Sequence, residues 1–378
     1  MTTDPIPPIS PPYGSGTLPD LACSLLASLG VRGEPNPLGL PVAVRVCLLV
    51  VDGLGWELLR DHPAAAPFLS ELAARGGPIA AGFPSTTVTS LGSLGTGRPP
   101  GTHGMLGYQV AIPGQGKLLN GLRWDSAIDP AEWQPAATIY ERAAAAGVRT
   151  YHVAPSSFRG TGLTTAFARG VEYLGADTLG ATAAEAQQAL AGGDRVLVTA
   201  YHGHLDATGH THGTSSAAWR YQLSHVDKLA EQLATGLPDG SVLYVTADHG
   251  MVDVGPDERI DVDDTPALRE GVALLGGEPR ARHVYAEPGA AADVLAAWRE
   301  VLGERATVLS RDEAIDQGLV GEVQPEMAPR IGDVVAAPGG STAIVATKAE
   351  PRESALIGMH GSLTQHEQLV PLLMLSTV

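Results

Sequence analysis

Three times along this chain a run of apolar, largely β-branched residues stops abruptly at polar side chains able to bind a metal. The first, VAVRVCLLVVDG from Val42 to Gly53, ends in Asp-Gly. Continuous apolar runs of this length suit a parallel strand buried on both faces, with its terminal residue at the strand's carboxyl end. RVLVTAYHG (Arg195 to Gly203) and SVLYVTADHG (Ser241 to Gly250) repeat the pattern. Between them Ala217 to Leu233 has the period of an amphipathic helix, and a further helix is expected from Trp56 to Arg75. Strand–helix–strand alternation with chemistry at strand ends predicts an α/β fold with a mostly parallel central sheet flanked by helices. Sites in such sheets gather outside the carboxyl ends of the strands.

The pattern changes over residues 252–355. Short strand candidates (RHVYAEP, IGDVVAAP, TAIVAT) mix with a helix from Ala290 to Leu302 and many turns, which predicts a smaller α+β lid insertion. QLVPLLML then returns the chain to the sheet. Residues 1–40, rich in Pro and Gly, are expected to form an arm packed across the surface. The division is therefore an arm (1–40), an α/β core (41–251 and 356–378) and a lid (252–355).

Composition narrows the function. A net charge of −17 argues against a nucleic-acid polymer as partner, because that affinity is built from Lys and Arg. A small phosphorylated substrate remains open, since bound metal can supply local positive charge. The only cysteines, Cys23 and Cys47, match no zinc motif or disulfide framework and read as buried apolar thiols. MTTDPIPPISPPYGSG does not have the form of a signal peptide, and no apolar run approaches the roughly 20 residues of a membrane span. A cytoplasmic location is the expectation; oligomeric state is not encoded in these patterns.

Five segments carry candidate chemistry. Asp52 ends the first strand, where Asp before Gly is ordinarily turn chemistry. FPSTTVTSLGSLGTGRPPGTHGMLGY (Phe83 to Tyr108) holds Ser85, Thr86, Thr87, Thr89 and Ser90 at a helix start, a place for capping or for a nucleophile beside free backbone N–H groups. YHGHLDATGHTHG (Tyr201 to Gly213) sets Asp206 and His210 four apart, with His202, His204 and His212 crowding the same stretch. Asp248 and His249 are adjacent, so both can face one ion only where strand gives way to loop; Gly250 supplies the break. His360 lies in GMHGSLTQHEQLVPLL, just before the last strand. Oxygen and imidazole ligands without thiolate suit zinc or manganese, and three aspartates with three histidines exceed what one tetrahedral ion needs. A two-metal site follows, and with it a way to activate a threonine hydroxyl.

These segments, in this order, resemble the alkaline phosphatase superfamily and most closely its nucleotide pyrophosphatase/phosphodiesterase branch. The motifs that carry the resemblance are a strand ending in Asp-Gly, FP-[ST]-x-T with TG-x-x-P-x-x-HG, D-x-x-GH, DHGM and G-x-HG, running from about Val46 to the C-terminus. The resemblance implies an alkaline phosphatase-like catalytic core and two divalent ions, zinc favoured and manganese the alternative. It places Asp52, Thr87, Asp248 and His249 around one ion and Asp206, His210 and His360 around the other. Thr87 would be the nucleophile, forming a phosphothreonine that water then releases.

Two departures concern the substrate. The branch has Asn shortly after HG, holding a phosphoryl oxygen; here Tyr108 stands there, with Asn120 a more distant substitute. Thr89 and Ser90 replace the usual Pro-Asn pair. Arg98, Lys117, Arg123 and Arg159 are candidates for holding further phosphates. The expected activity is that of a phosphodiesterase or nucleotide pyrophosphatase acting on a small phosphorylated substrate such as a nucleotide. The alternatives are a phosphomonoesterase, a phosphonate or phospholipid head-group hydrolase on the same core, and a catalytically silent metal-binding scaffold.

Overall fold

The computed structural model describes residues 8–377. Along the chain come helix α1 (Leu18–Ser28), strand β1 (Arg45–Val51), helices α2 (Trp56–Asp61) and α3 (Pro67–Ala73), strand β2 (Gly77–Ala80) and helix α4 (Thr87–Thr96). Strand β3 (Arg149–Ala154), helix α5 (Gly162–Phe167), strand β4 (Glu172–Gly175) and helix α6 (Leu179–Ala191) follow. Strand β5 (Val196–His202), helices α7 (His204–His212) and α8 (Ala217–Thr235) and strand β6 (Ser241–Thr246) complete that stretch. Beyond them lie β7 (Val272–Glu278), β8 (Ala281–Ala286), helix α9 (Ala291–Leu302), β9 (Ala306–Ser310), β10 (Val334–Pro338) and β11 (Leu369–Ser376).

Seven strands build the central sheet in the order β2-β11-β6-β1-β5-β3-β4. β1 pairs in parallel with β5 and β6, and β3 with β5 and β4; only β11 runs antiparallel to its neighbours. The three apolar runs noted above are thus the three adjacent central strands, β5, β1 and β6. Each is buried along nearly its whole length, because helices cover both faces. Their polar termini consequently converge at one edge of the sheet.

Of the expected arm over residues 1–40, residues 1–7 lie outside the described residues, and residues 8–40 do not form a surface arm. α1 is buried almost throughout, with Leu18, Leu21, Leu25 and Leu26 fully enclosed, and packs against α4. Its four leucines at helical spacing outweigh the Pro- and Gly-rich flanks. Cys23 within it donates to the Gly97 carbonyl at the end of α4, and both cysteines are free and buried, as expected. The single helix expected over Trp56 to Arg75 is two helices. Pro63 cannot continue α2, and Pro67, fixed near helical φ, starts α3 at its first turn.

Residues 252–355 hold a four-stranded antiparallel sheet in the order β7-β8-β10-β9, with α9 packed on it around Trp298 and Leu302. At the β7–β8 turn, Arg280 reaches Glu367 in a fully buried ion pair, Nε to Oε1 3.0 Å. Glu367 also accepts from the backbone N–H of Ser362 and the hydroxyl of Thr364, so this one carboxylate ties the second sheet to the loop that carries His360. Among the described residues, no helix is long and apolar enough to cross a membrane.

Candidate active site

Each central strand delivers its cargo just past its end. Asp52 follows β1, Asp248 and His249 follow β6 in a loop beginning at Ala247, and Asp206 lies on α7 directly after β5. Two glycines make this convergence possible. Gly53 has φ of +75°, and a Cβ there would meet Asp206 Cβ at 3.0 Å. At Gly250 a Cβ would fall 1.8 Å from the His366 carbonyl oxygen.

Asp52, Asp248 and His249 form one cluster and Asp206, His210 and His360 another, with ligand-capable atoms inside each all within 4.8 Å of one another. In the first, His249 Nε2 lies 3.3 Å from Asp52 Oδ1 and 3.6 Å from Asp248 Oδ2. In the second, His210 Nε2 lies 3.2 Å from Asp206 Oδ2, since a four-residue separation on α7 puts both on one face. His360 Nε2 is 3.8 Å from Asp206 Oδ1. The clusters adjoin, for the His249 and His360 rings stack at 3.6 Å between centroids.

The histidines share one device. Nδ1 of His210, His249 and His360 each faces a backbone carbonyl, of Gly358 (2.7 Å), Gly250 (2.9 Å) and Ser85 (3.0 Å). A carbonyl only accepts, so Nδ1 carries the proton and Nε2 is left to present a lone pair. Those lone pairs face carboxylates. Asp52 Oδ1, Asp206 Oδ1 and Asp248 Oδ2 are buried with no hydrogen-bond donor in reach. Lone pairs aimed at lone pairs in a dry space are repulsive unless a cation stands between them. The donor set, all oxygen and imidazole, therefore fits divalent ions.

Protonation tells the same story. Burial, with Asp248 and Asp206 close by, drives Asp52 well above the usual carboxylate range, and burial likewise raises Asp248. Burial and the neighbouring His249 hold His360 well below the usual imidazole range. Burial acts against charge on both Asp206 and His210, yet their mutual attraction prevails: Asp206 is lowered and His210 is pushed up to about 9.

Thr87 is the first residue of α4, preceded at the N-cap position by Thr86, which is extended and makes no side-chain cap hydrogen bond. Its Oγ1 lies 3.2 Å from His249 Nε2, and the first-turn N–H groups of this ten-residue helix have no intrahelical acceptor. Of the neighbouring hydroxyls, Ser85 donates to the Ser362 carbonyl and Thr86 to Glu278, while Thr89 and Ser90 are buried. Thr87 alone of the five faces the clusters. It opens into a cavity of about 530 Å³ lined by Asp52 of the first cluster and by Asp206, His210 and His360 of the second.

Other sequence candidates lie elsewhere or are otherwise engaged. His202 contacts Gln222 on α8; His204 is exposed and lines the cavity, His212 is exposed, and neither belongs to a cluster. Tyr108 lines the cavity but donates its one proton to Glu353 Oε1 at 3.1 Å, so holding a phosphoryl oxygen would require that bond to break. Asn120 Oδ1 accepts from the backbone N–H groups of Leu122 and Arg123. Arg98, Lys117, Arg123 and Arg159 do not line the cavity; Lys117 pairs with Asp125 and Arg159 lies over Tyr173.

Residues without a motif complete the site. The Tyr201 hydroxyl donates to Asp52 Oδ2. Glu278, from the end of β7, is buried in the cavity wall, where desolvation pushes its carboxyl up to about 8. Arg352 and Glu353 stand on the rim, and Val88, Leu91, Leu122, Phe158, Leu163 and Phe167 form an apolar wall.

The sequence profile of the type I phosphodiesterase/nucleotide pyrophosphatase family matches residues 46–363. The fold is similar to that of murine ectonucleotide pyrophosphatase/phosphodiesterase 5 in an inactive form with AMP, at 20% identity and TM-score 0.69 over 87% of each chain. The human form of that protein is similar at 19% identity and TM-score 0.67, again over 87% of each chain. Phosphonoacetate hydrolase from Sinorhizobium meliloti 1021, in complex with phosphonoacetate, is similar at 19% identity and TM-score 0.65 over 88% of this chain and 90% of its own. No curated protein matches the chain in sequence.

Proposed function

The chain belongs to the type I phosphodiesterase/nucleotide pyrophosphatase family of the alkaline phosphatase superfamily, hydrolases of phosphoester bonds, and we propose that it is a phosphodiesterase in which Thr87 is the nucleophile. The observation that carries this reading is the place of Thr87 Oγ1, at the start of a buried helix and 3.2 Å from His249 Nε2, opening into the cavity lined by Asp52, Asp206, His210 and His360.

Asp52, Asp248 and His249, with Thr87, would hold one divalent ion, and Asp206, His210 and His360 the other. When bound, such ions lower the pKa of a coordinated hydroxyl or water and offset charge on the phosphoryl oxygens. The protein's own groups do the rest. The first-turn N–H groups of α4 donate to a non-bridging phosphoryl oxygen and hold phosphorus against Thr87 Oγ. The three backbone carbonyls fix the imidazoles, so little reorganisation accompanies reaction. Thr87 Oγ, having released its proton to solvent, bonds to phosphorus as the bond to the leaving alkoxide breaks, and that alkoxide takes a proton from water. Water then attacks the phosphothreonine from the face vacated by the leaving group, opposite Thr87 Oγ; the Oγ–P bond breaks, one proton of that water restores the hydroxyl and the other passes to solvent. Two in-line steps give net retention at phosphorus.

The apolar wall supports an organic substituent on phosphorus, a nucleoside or an aryl group, over bare monoester recognition. The 252–355 region would act as the lid, supplying Glu278, Arg352 and Glu353 to the cavity. Hydrolysis of bis(4-nitrophenyl) phosphate with added Zn²⁺ or Mn²⁺, compared with Thr87→Ala, tests the reading. Turnover that falls at least a thousandfold in the variant supports it; equal turnover in both proteins overturns it.

A further inference from the structure

The cavity is lined by four carboxylates, Asp52, Asp206, Glu278 and Glu353, but by only one Lys or Arg, namely Arg352. This arginine takes part in none of the ion pairs or side-chain hydrogen bonds of the described structure. The nearby carboxylates have partners of their own. Glu353 accepts from Tyr108, and Glu350 pairs with Arg282 at 2.8 Å. An exposed arginine beside two glutamates would ordinarily be drawn to them, so the guanidinium is left available by the arrangement of its neighbours.

Depth separates Arg352 from the reacting centre. The side chains of Asp248 and His249 are fully buried, whereas Arg352 is exposed at the rim. A phosphoryl group at Thr87 is already served by the start of α4 and the two ligand clusters. A cation further out has a use only for a second negative group on the same molecule. Guanidinium suits that task, because its planar fork binds phosphate or carboxylate through two parallel hydrogen bonds.

We propose that Arg352 is a specificity-determining residue that binds a second anionic group of the substrate, a phosphate or carboxylate beyond the phosphorus attacked by Thr87. The inference rests on the phosphoryl site proposed above and names what else that site selects. It favours pyrophosphate-linked or carboxylate-bearing substrates over diesters with a single charge.

Calorimetric titration of the metal-loaded protein tests it without requiring turnover. The ligands form two matched pairs: AMP with α,β-methylene-ADP, and methylphosphonate with phosphonoacetate. In Arg352→Gln, affinity for at least one doubly anionic ligand should fall about tenfold, while affinity for its singly phosphorylated or phosphonylated partner changes less than twofold. Arg352→Lys, which keeps the charge but not the fork, should recover part of the loss. Selective loss on α,β-methylene-ADP identifies a phosphate, and selective loss on phosphonoacetate a carboxylate. No loss on either, or equal loss within both pairs, overturns the proposal. Failure of the phosphodiesterase reading would show separately, as absent turnover of bis(4-nitrophenyl) phosphate by the unmodified protein.

Discussion

Glu367→Gln is the most informative single change away from the proposed metal ligands. It preserves the shape of a fully buried side chain, removes the charge that faces Arg280 and turns one of its two acceptor oxygens into a donor. The guanidinium then stays buried without a counter-ion. Removing one partner of a buried pair costs about 3–5 kcal/mol, most of it the penalty of the abandoned charge. With an unfolding entropy of about 2.1 cal/mol/K per residue, a chain of 378 residues should lose about 4–6 °C of Tm. Scanning calorimetry should be run on chelator-treated protein. Glu367 also anchors the Ser362 N–H beside His360, and loosening that loop would otherwise mix metal affinity into the stability. Arg280→Met with Glu367→Leu removes both charges and should return to within about 2 °C of the unmodified chain, as apolar replacements of buried pairs do. The reasoning is refuted if the single variant loses less than 1 °C, or if the double variant is no more stable than the single.

Chelation should abolish phosphodiesterase turnover, and added Zn²⁺ or Mn²⁺ restore it; Asp206→Asn and Asp248→Asn should each retain about half the bound metal by elemental analysis, and full retention in both would refute the assignment of ligands. Leu25→Ala, in the fully buried face of α1, should cost about 2–5 kcal/mol, read as a lowered denaturant midpoint; an unchanged midpoint would show that α1 is not part of the core. His103, His152 and His283 are buried, which pushes them down to about 3, 4 and 4. Their folded values lie below the unfolded value near 6.5, so the stability they hold above that pH should be lost as pH falls from about 6.5 towards 4. His283→Gln should flatten that decline in urea titrations, and an unchanged slope would refute it.

The central sheet was legible because its strands announce themselves twice, by apolar runs and by the chemistry where they end. Asp206 with His210 needed only helical spacing, and Asp248 with His249 only a strand end followed by Gly. α1 was missed because its leucines lie between Pro- and Gly-rich flanks, and composition over that window hides an 11-residue helix. Glu278 and Arg352 carried no signal at all. Each is a single charged residue in a stretch without strong periodicity, brought to the cavity only by how the second sheet and the 350–357 segment meet the core. For the same reason Arg98, Lys117, Arg123 and Arg159 drew attention in sequence and are not among the residues that line the cavity. Charge is visible in a sequence, but its address is tertiary.

That the acceptors orienting the three histidines are all peptide carbonyls has a consequence for how such a site can drift. A carboxylate in that role vanishes with one codon change; a carbonyl belongs to the main chain and survives every replacement at its position. At Ser85 the imidazole's anchor is the carbonyl, while the buried side chain has a separate task, donating to the Ser362 carbonyl. At Gly250 and Gly358 the restriction is one of room, since a Cβ would fall 1.8 Å from the His366 oxygen or 2.3 Å from Met251 Sδ. The outer support of this site is written into the path of the backbone, and a lineage can rewrite much of its wording while that path holds.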